Sequence, residues 1–169
     1  MNIEKEYKVL VNQEQFNKML CLYPGEKIIQ TNHYYDNDSN IMMRFRVIND
    51  DIYFTMKVYD KQLYEYEFKV NNIDINHKDI IKLIDQYQIK NIRYIGDMKT
   101  TRYLTMFESG ELCLDYNEYN DIIDYEIEYE LFDYRDDQLD YFISLLNKVD
   151  IEYQENNISK FNRFKRRKK

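Results

Sequence analysis

The 169-residue chain has no tryptophan, one proline, three glycines, two cysteines and two histidines. Each shortage excludes a class of chemistry. Gly25, Gly96 and Gly110 are too scattered to form Gly-x-x-x-x-Gly-Lys, so a P-loop nucleotide site is ruled out. His33 and His77 stand alone, which leaves a His-rich zinc site or a Ser-His-Asp triad without material. Cys21 and Cys113 have no paired spacing, so no disulfide framework is expected, and the setting expected is reduced and cytoplasmic. No apolar run resembles a signal peptide or a spanning helix, and no membrane association is expected. The formal net charge of −7 argues against a surface that coats nucleic acid, yet it leaves room for a polyphosphate in a local basic site. Any metal site must therefore be built from oxygen ligands.

What the chain does contain is enough apolar material for one domain over residues 1–169. Hydrophobic residues make up 44% of it, and 18 residues are tyrosine, a side chain suited to strands that pack the ring and leave the hydroxyl a polar partner. Scarce breakers imply long strands and helices joined by polar turns. Strand patterns cover residues 3–10, 28–35, 41–48, 52–59, 64–70, 92–95, 100–107, 111–116 and 124–131, with a hairpin at Ser109-Gly110. Helical spacing covers residues 12–22, capped by Asn12 and stopped at Pro24-Gly25, then a segment from Asn76 as cap, and residues 136–149. A short helix capped by Ser159 is expected near the C-terminus, followed by a solvated basic tail from about Lys165 to Lys169. The fold class expected is α+β, a closed antiparallel barrel of about eight strands with flanking helices.

Charge follows strand periodicity. Glu4, Glu6 and Lys8 alternate in the first segment, as do Arg44 and Arg46, Thr55 and Lys57, Glu65, Glu67 and Lys69, and Asp124, Glu126, Glu128 and Glu130. Alternate side chains of a strand share a face, so each set lines one side. Any one set alone also fits a half-buried strand with a solvated polar face. Together, in a closed sheet with its apolar face under helices, they would point at one lumen, where unpaired charge is costly unless a polyanion and cations neutralise it.

The ordered set Glu4-x-Glu6-x-Lys8, Tyr34-Tyr35-Asp36, Arg44-x-Arg46, Thr55-Met56-Lys57, Glu65-x-Glu67, Arg102, Asp115, Glu126-x-Glu128 and Ser159-Lys160 resembles the triphosphate tunnel metalloenzymes, or CYTH domains, along essentially the whole chain. The resemblance implies that Lys8, Arg44, Arg46, Lys57, Arg102 and Lys160 contact triphosphate oxygens. It implies that Glu4, Glu6, Asp115, Glu126 and Glu128 hold one or two divalent cations, with Glu126, Glu128, Lys8 and Arg102 nearest the chemistry. Hard carboxylate oxygens suit magnesium or manganese, and scattered Arg and Lys suit a ligand with many equivalent oxygens. Glu65 and Glu67 either touch metal or orient a basic neighbour; Lys69, Lys99 and Glu130 fit the rim, and Cys113 has no assigned role. The absence of tryptophan weakens the case for thiamine triphosphate.

The activity this implies is metal-dependent hydrolysis of a phosphoanhydride in inorganic triphosphate or a nucleoside or organic triphosphate. A class IV-type adenylate cyclase and a non-catalytic polyphosphate-binding module are the alternatives. Nucleic acid is not an expected partner.

Overall fold

The computed structural model describes residues 1–156 and 158–167. Thirteen elements follow in chain order: β1 (Asn2–Glu4), β2 (Glu6–Val11), α1 (Gln13–Leu22), β3 (Glu26–Asp36), β4 (Met42–Ile48), β5 (Asp51–Tyr59), β6 (Leu63–Val70), α2 (Lys78–Gln86), β7 (Arg93–Met106), β8 (Gly110–Tyr119), β9 (Ile122–Leu131), α3 (Leu139–Asn147) and α4 (Lys160–Arg167). The strands form a 9-stranded sheet in the order β1-β6-β5-β4-β3-β7-β8-β9-β2. Its outermost members, β1 and β2, are separated in the chain by Lys5 alone. The α+β class and the antiparallel barrel topology are as expected, with nine strands rather than eight. No helix among the described residues is long and apolar enough to cross a membrane.

Strand boundaries differ from the sequence patterns at two places, one split and one merger. Residues 3–10 do not form one strand, because the chain breaks at Lys5, whose carbonyl accepts from the Leu131 amide. The patterns at 92–95 and 100–107, expected as two strands, are joined in one strand, β7, Arg93–Met106. Gly96 has φ 123, a conformation that L side chains resist, and as glycine it lets the strand run on through that position.

The chain divides into two compact units, Met1–Ile3 with Gln30–Met98, and Glu4–Ile29 with Lys99–Lys169. In the first, the apolar parity of β4 and β5 buries Met43, Phe45, Phe54 and Met56 against Ile80 and Leu83 of α2. Alternation along each strand puts Arg44, Arg46, Thr55 and Lys57 on the opposite face. Helix α2 is capped by His77, whose Nδ1 accepts from Asp79 N, and not by Asn76.

In the second unit, Leu112, Leu114, Ile127 and Tyr129 pack with Phe16 and Met19 of α1 and Phe142, Leu145 and Leu146 of α3. Burying each large apolar side chain contributes roughly 1.5–3 kcal/mol. Helix α1 starts as the sequence predicts: Asn12 accepts from Gln15 N, and the Gln15 side chain accepts from Asn12 N. After it, Gly25 sits at φ +57 with its backbone against Leu104. An added Cβ would lie 2.6 Å from the Leu104 carbonyl oxygen, so Gly25→Ala is expected to lose about 2–4 kcal/mol in a denaturant melt from backbone strain and overpacking together. A variant as stable as the parent would contradict that close approach.

Ser159 caps α4 by accepting from Asn162 N at 3.2 Å. The helix runs through Arg167, so the stretch expected as a solvated tail from Lys165 is helical to that point; Lys168 and Lys169 lie outside the described residues.

Candidate functional site

The polar face of the second unit is built by register. Arg102 pairs with Asp115 and Asp115 with Glu126, while Cys113 pairs with Glu128 and Glu128 with Lys8. Residues directly opposite in an antiparallel ladder share a side, so β2, β7, β8 and β9 bring these groups together. Asp115 and Glu126 are 0% exposed and Glu128 6%, and one carboxylate oxygen from each lies within 4.8 Å of the others.

Three like charges at that spacing persist only with cations among them. Lys160, from α4, supplies one: its Nζ lies 2.9 Å from Asp115, 2.6 Å from Glu126 and also against Glu128. Arg102 supplies another, donating from Nε and Nη2 to the two Asp115 oxygens at 2.7 Å each and from Nη2 to Glu128 at 3.2 Å. Arg163, three residues along α4 from Lys160, donates to Glu126 at 2.9 Å and to Asp124 at 3.0 Å. Asn156 Nδ2 donates to Glu126 at 2.7 Å, and its backbone amide donates to the Lys8 carbonyl.

Protonation follows this wiring. Burial pushes the Glu128 carboxyl up, but Lys160 and Arg102 outweigh it and hold the group well below the usual carboxylate range. Asp115 behaves alike, its burial overcome by Arg102 and Lys160. Glu126 goes the other way: burial dominates the pull of Lys160, and adjacent Glu128 adds to the upward shift. The site thus pairs one firmly ionised glutamate with one that holds a proton more readily. Burial pushes the Cys113 thiol up against the pull of Arg102, which makes it a protonated filler beside Glu128 and a poor nucleophile.

Glu6 and Lys8 pair at 3.2 Å on β2, and Glu4 closes β1 half-buried on the other side of the break at Lys5. Glu130 stands opposite both Glu6 and Glu111. Lys99 is exposed.

The polar face of the first unit is a separate construction. Across β3, β4, β5 and β6 one row reads Tyr34, Arg44, Thr55, Glu67 and the next Asn32, Arg46, Tyr53, Lys69. Arg44 is 7% exposed. Arg46 Nε donates to Asn32 Oδ1 at 2.8 Å. Glu67 accepts from Thr55 Oγ1 at 2.9 Å, and Glu65 lies 3.7 Å from Lys57. Both glutamates therefore orient neighbours on this face. Lys69 is exposed and pairs with Asp51 at 2.7 Å.

Sequence reasoning left out Asn156, which lies in an irregular segment and carries no periodic signal. It also gave no role to Thr100 and Asn117, a buried pair hydrogen-bonded at 2.7 Å that continues to Asp124. The parity shared by Asp115 and Asn117 was the available clue.

Asp115, Glu126 and Glu128 could hold a metal ion. As a donor set of hard oxygens they fit magnesium or manganese. The Lys160 ammonium bonds to the same oxygens, so an ion and Lys160 compete for them.

Comparison with known proteins locates this arrangement. Residues 2–164 match the family model of the CYTH domain. The chain is 28% identical to YjbK of Bacillus subtilis (strain 168), provisionally named a triphosphatase, across 98% of this chain and 97% of that protein. It superposes with TM-score 0.82 on bh2851 of Bacillus halodurans, provisionally named an adenylate cyclase, at 26% identity, covering 96% of this chain and 97% of that one. The Hippeastrum protein HpAC1, described as a provisional adenylyl cyclase with a dominant triphosphatase activity, shares the fold with TM-score 0.80 at 18% identity, covering 97% of this chain and 96% of that one.

Proposed function

This chain belongs to the CYTH domain family, and on that premise we propose that it is a divalent-metal-dependent triphosphatase. It hydrolyses a phosphoanhydride of inorganic triphosphate, or of a nucleoside or organic triphosphate. The observation that carries this reading is the buried cluster Asp115, Glu126 and Glu128, held within 4.8 Å with Arg102 and Lys160 bonded to it. A cluster so charged is stable when its partners balance it, and it suits a reaction that moves charge between a cation and phosphate oxygens.

Magnesium or manganese held by Asp115, Glu126 and Glu128, with Glu4 and Glu6 alongside, would neutralise phosphate charge and acidify water. Each unit offers phosphate-binding cations of its own: Lys8, Arg102 and Lys160 on the second, and Arg44, Arg46 and Lys57 on the first. With those carboxylates occupied by a cation, the Lys160 ammonium would be released to bind a phosphate oxygen. The water oxygen forms a bond to the terminal phosphorus, the bridging P–O bond breaks, and the shortened phosphate chain leaves with the bond's electron pair. Glu126 takes the water's proton. Lys8 and Arg102 stabilise the charge spreading over the equatorial oxygens. The exposed Cys21 and buried Cys113 are both free thiols, which fits a reduced, cytoplasmic setting.

The cyclase reading differs in both nucleophile and target, the ribose 3′-hydroxyl attacking the α-phosphorus in place of water attacking the terminal one, and the provisional name of bh2851 keeps it in view. Both are tested by one panel: inorganic triphosphate, ATP and thiamine triphosphate with magnesium or manganese, scored for orthophosphate, pyrophosphate and cyclic AMP. Orthophosphate release without cyclic AMP is the expected result. Cyclic AMP with stoichiometric pyrophosphate from ATP would establish the cyclase instead, and binding without any product would leave a polyphosphate-binding module.

A further inference from the structure

Three side chains on the polar face of the first unit carry buried N–H donors that no acceptor among the described residues meets: Arg44 Nε, Asn32 Nδ2 and Gln30 Nε2. Asn32 is 0% exposed, Gln30 2% and Arg44 7%. Register places all three on one side of the sheet, since Gln30 stands opposite Ile48, Asn32 opposite Arg46 and Tyr34 opposite Arg44. The orientation of the Asn32 carboxamide is fixed by its neighbour. Arg46 Nε offers only a proton, so the end it meets at 2.8 Å is the oxygen, and the NH2 end is the one left to the face.

Unmet buried donors cost free energy, and folded chains leave few of them. Three on one face, with Arg46 and Lys57 beside them, leave a patch whose unmet groups are donors, while the acceptors of the same face, Glu65, Glu67 and Asn32 Oδ1, are engaged by Lys57, Thr55 and Arg46. Its complement is a ligand made of acceptors. A chain of ionised phosphates fits this description, whereas a ribose or an alcohol brings hydroxyl donors of its own. A neutral carboxamide also has an advantage over a further cation at this spot, since it adds a donor beside Arg44 and Arg46 without adding repulsion between like charges.

We propose that Asn32 and Gln30 are phosphate-binding residues, their carboxamide N–H groups donating to triphosphate oxygens alongside Arg44. This assignment rests on the triphosphatase reading and extends it to two neutral residues on β3. The acceptor end of Asn32 meanwhile holds Arg46 in place, so one side chain both positions an arginine and contacts the anion.

The test is calorimetric titration of inorganic tripolyphosphate into the full chain, comparing wild type with Asn32→Asp and Gln30→Glu. Asn32→Asp keeps the acceptor for Arg46 and so keeps the local pairing, but it replaces the donor with a carboxylate. A hydrogen bond to a charged group is worth on the order of a tenfold to hundredfold change in Kd, and each variant is expected to bind at least that much more weakly. Thermal melts accompany the titrations, and Gln30→Glu stands as the second variant if Asn32→Asp fails to fold. If wild type binds tripolyphosphate and the folded variants match it within about twofold, the assignment of Asn32 and Gln30 is overturned while the triphosphatase reading stands. If wild type itself does not bind, the triphosphatase reading fails and this assignment falls with it.

Discussion

Lys160→Met is expected to melt about 6–20 °C below wild type in EDTA, and to recover most of that loss on addition of magnesium or manganese. Lys160 bonds to three buried carboxylates, and methionine fills the volume of its stem without the charge. Removing one partner of a buried ionic cluster costs roughly 3–5 kcal/mol, and in a chain of this size each kcal/mol moves the melting point by about 2–4 °C. Arg102 and Arg163 remain, but they already engage Asp115, Glu128, Glu126 and Asp124 and cannot reach all the freed oxygens at once. A divalent cation can. Wild type should gain less from the same ion, because there the ion must first displace the ammonium, and binding stabilises only in proportion to its net affinity. Differential scanning fluorimetry of both proteins across a metal titration reads the effect. Equal melting points in EDTA, or equal metal responses, would contradict the placement of Lys160 among the carboxylates.

The second large effect concerns turnover. Glu126→Gln is expected to lower kcat on the order of a thousandfold, about 4 kcal/mol of barrier, while tripolyphosphate still binds. Glu126 accepts from Lys160, Arg163 and Asn156, so an amide in its place turns one acceptor into a donor facing a donor. The change removes the negative charge that would hold a cation and the base that takes the proton, and it leaves the phosphate-binding cations intact. The split between rate and affinity is the diagnostic. Loss of binding without loss of kcat would assign Glu126 to ligand recognition instead.

Much of this site was legible in the sequence, for a physical reason. A period of two along a strand fixes which face a side chain takes, so Glu126 and Glu128, or Arg44 and Arg46, could be grouped before any partner strand was known. The same parity separated Phe45 and Phe54 into the core. What parity cannot supply is the pairing across strands. That Arg102 meets Asp115, and that Lys160 reaches Asp115, Glu126 and Glu128 from α4, depends on register and on helix docking at long sequence separation.

Local reading failed where the backbone did something unusual. Lys5 interrupts an alternating run that looks continuous, and Gly96 keeps continuous a strand that looks interrupted. His77 replaced Asn76 as the cap of α2 because its ring nitrogen reaches the Asp79 amide, a geometry that residue preference ranks below asparagine. The basic stretch from Lys165 read as a tail because its charge is local, whereas the helix there is held by burial of Phe161 and Phe164.

Hydrolysis of a triphosphate at this charged face is read out by orthophosphate release from inorganic triphosphate by the purified chain in magnesium or manganese. Wild type is predicted to release many equivalents of orthophosphate per chain, with none in EDTA and almost none from Glu126→Gln. Tripolyphosphate that binds with no orthophosphate released above the Glu126→Gln background would contradict it.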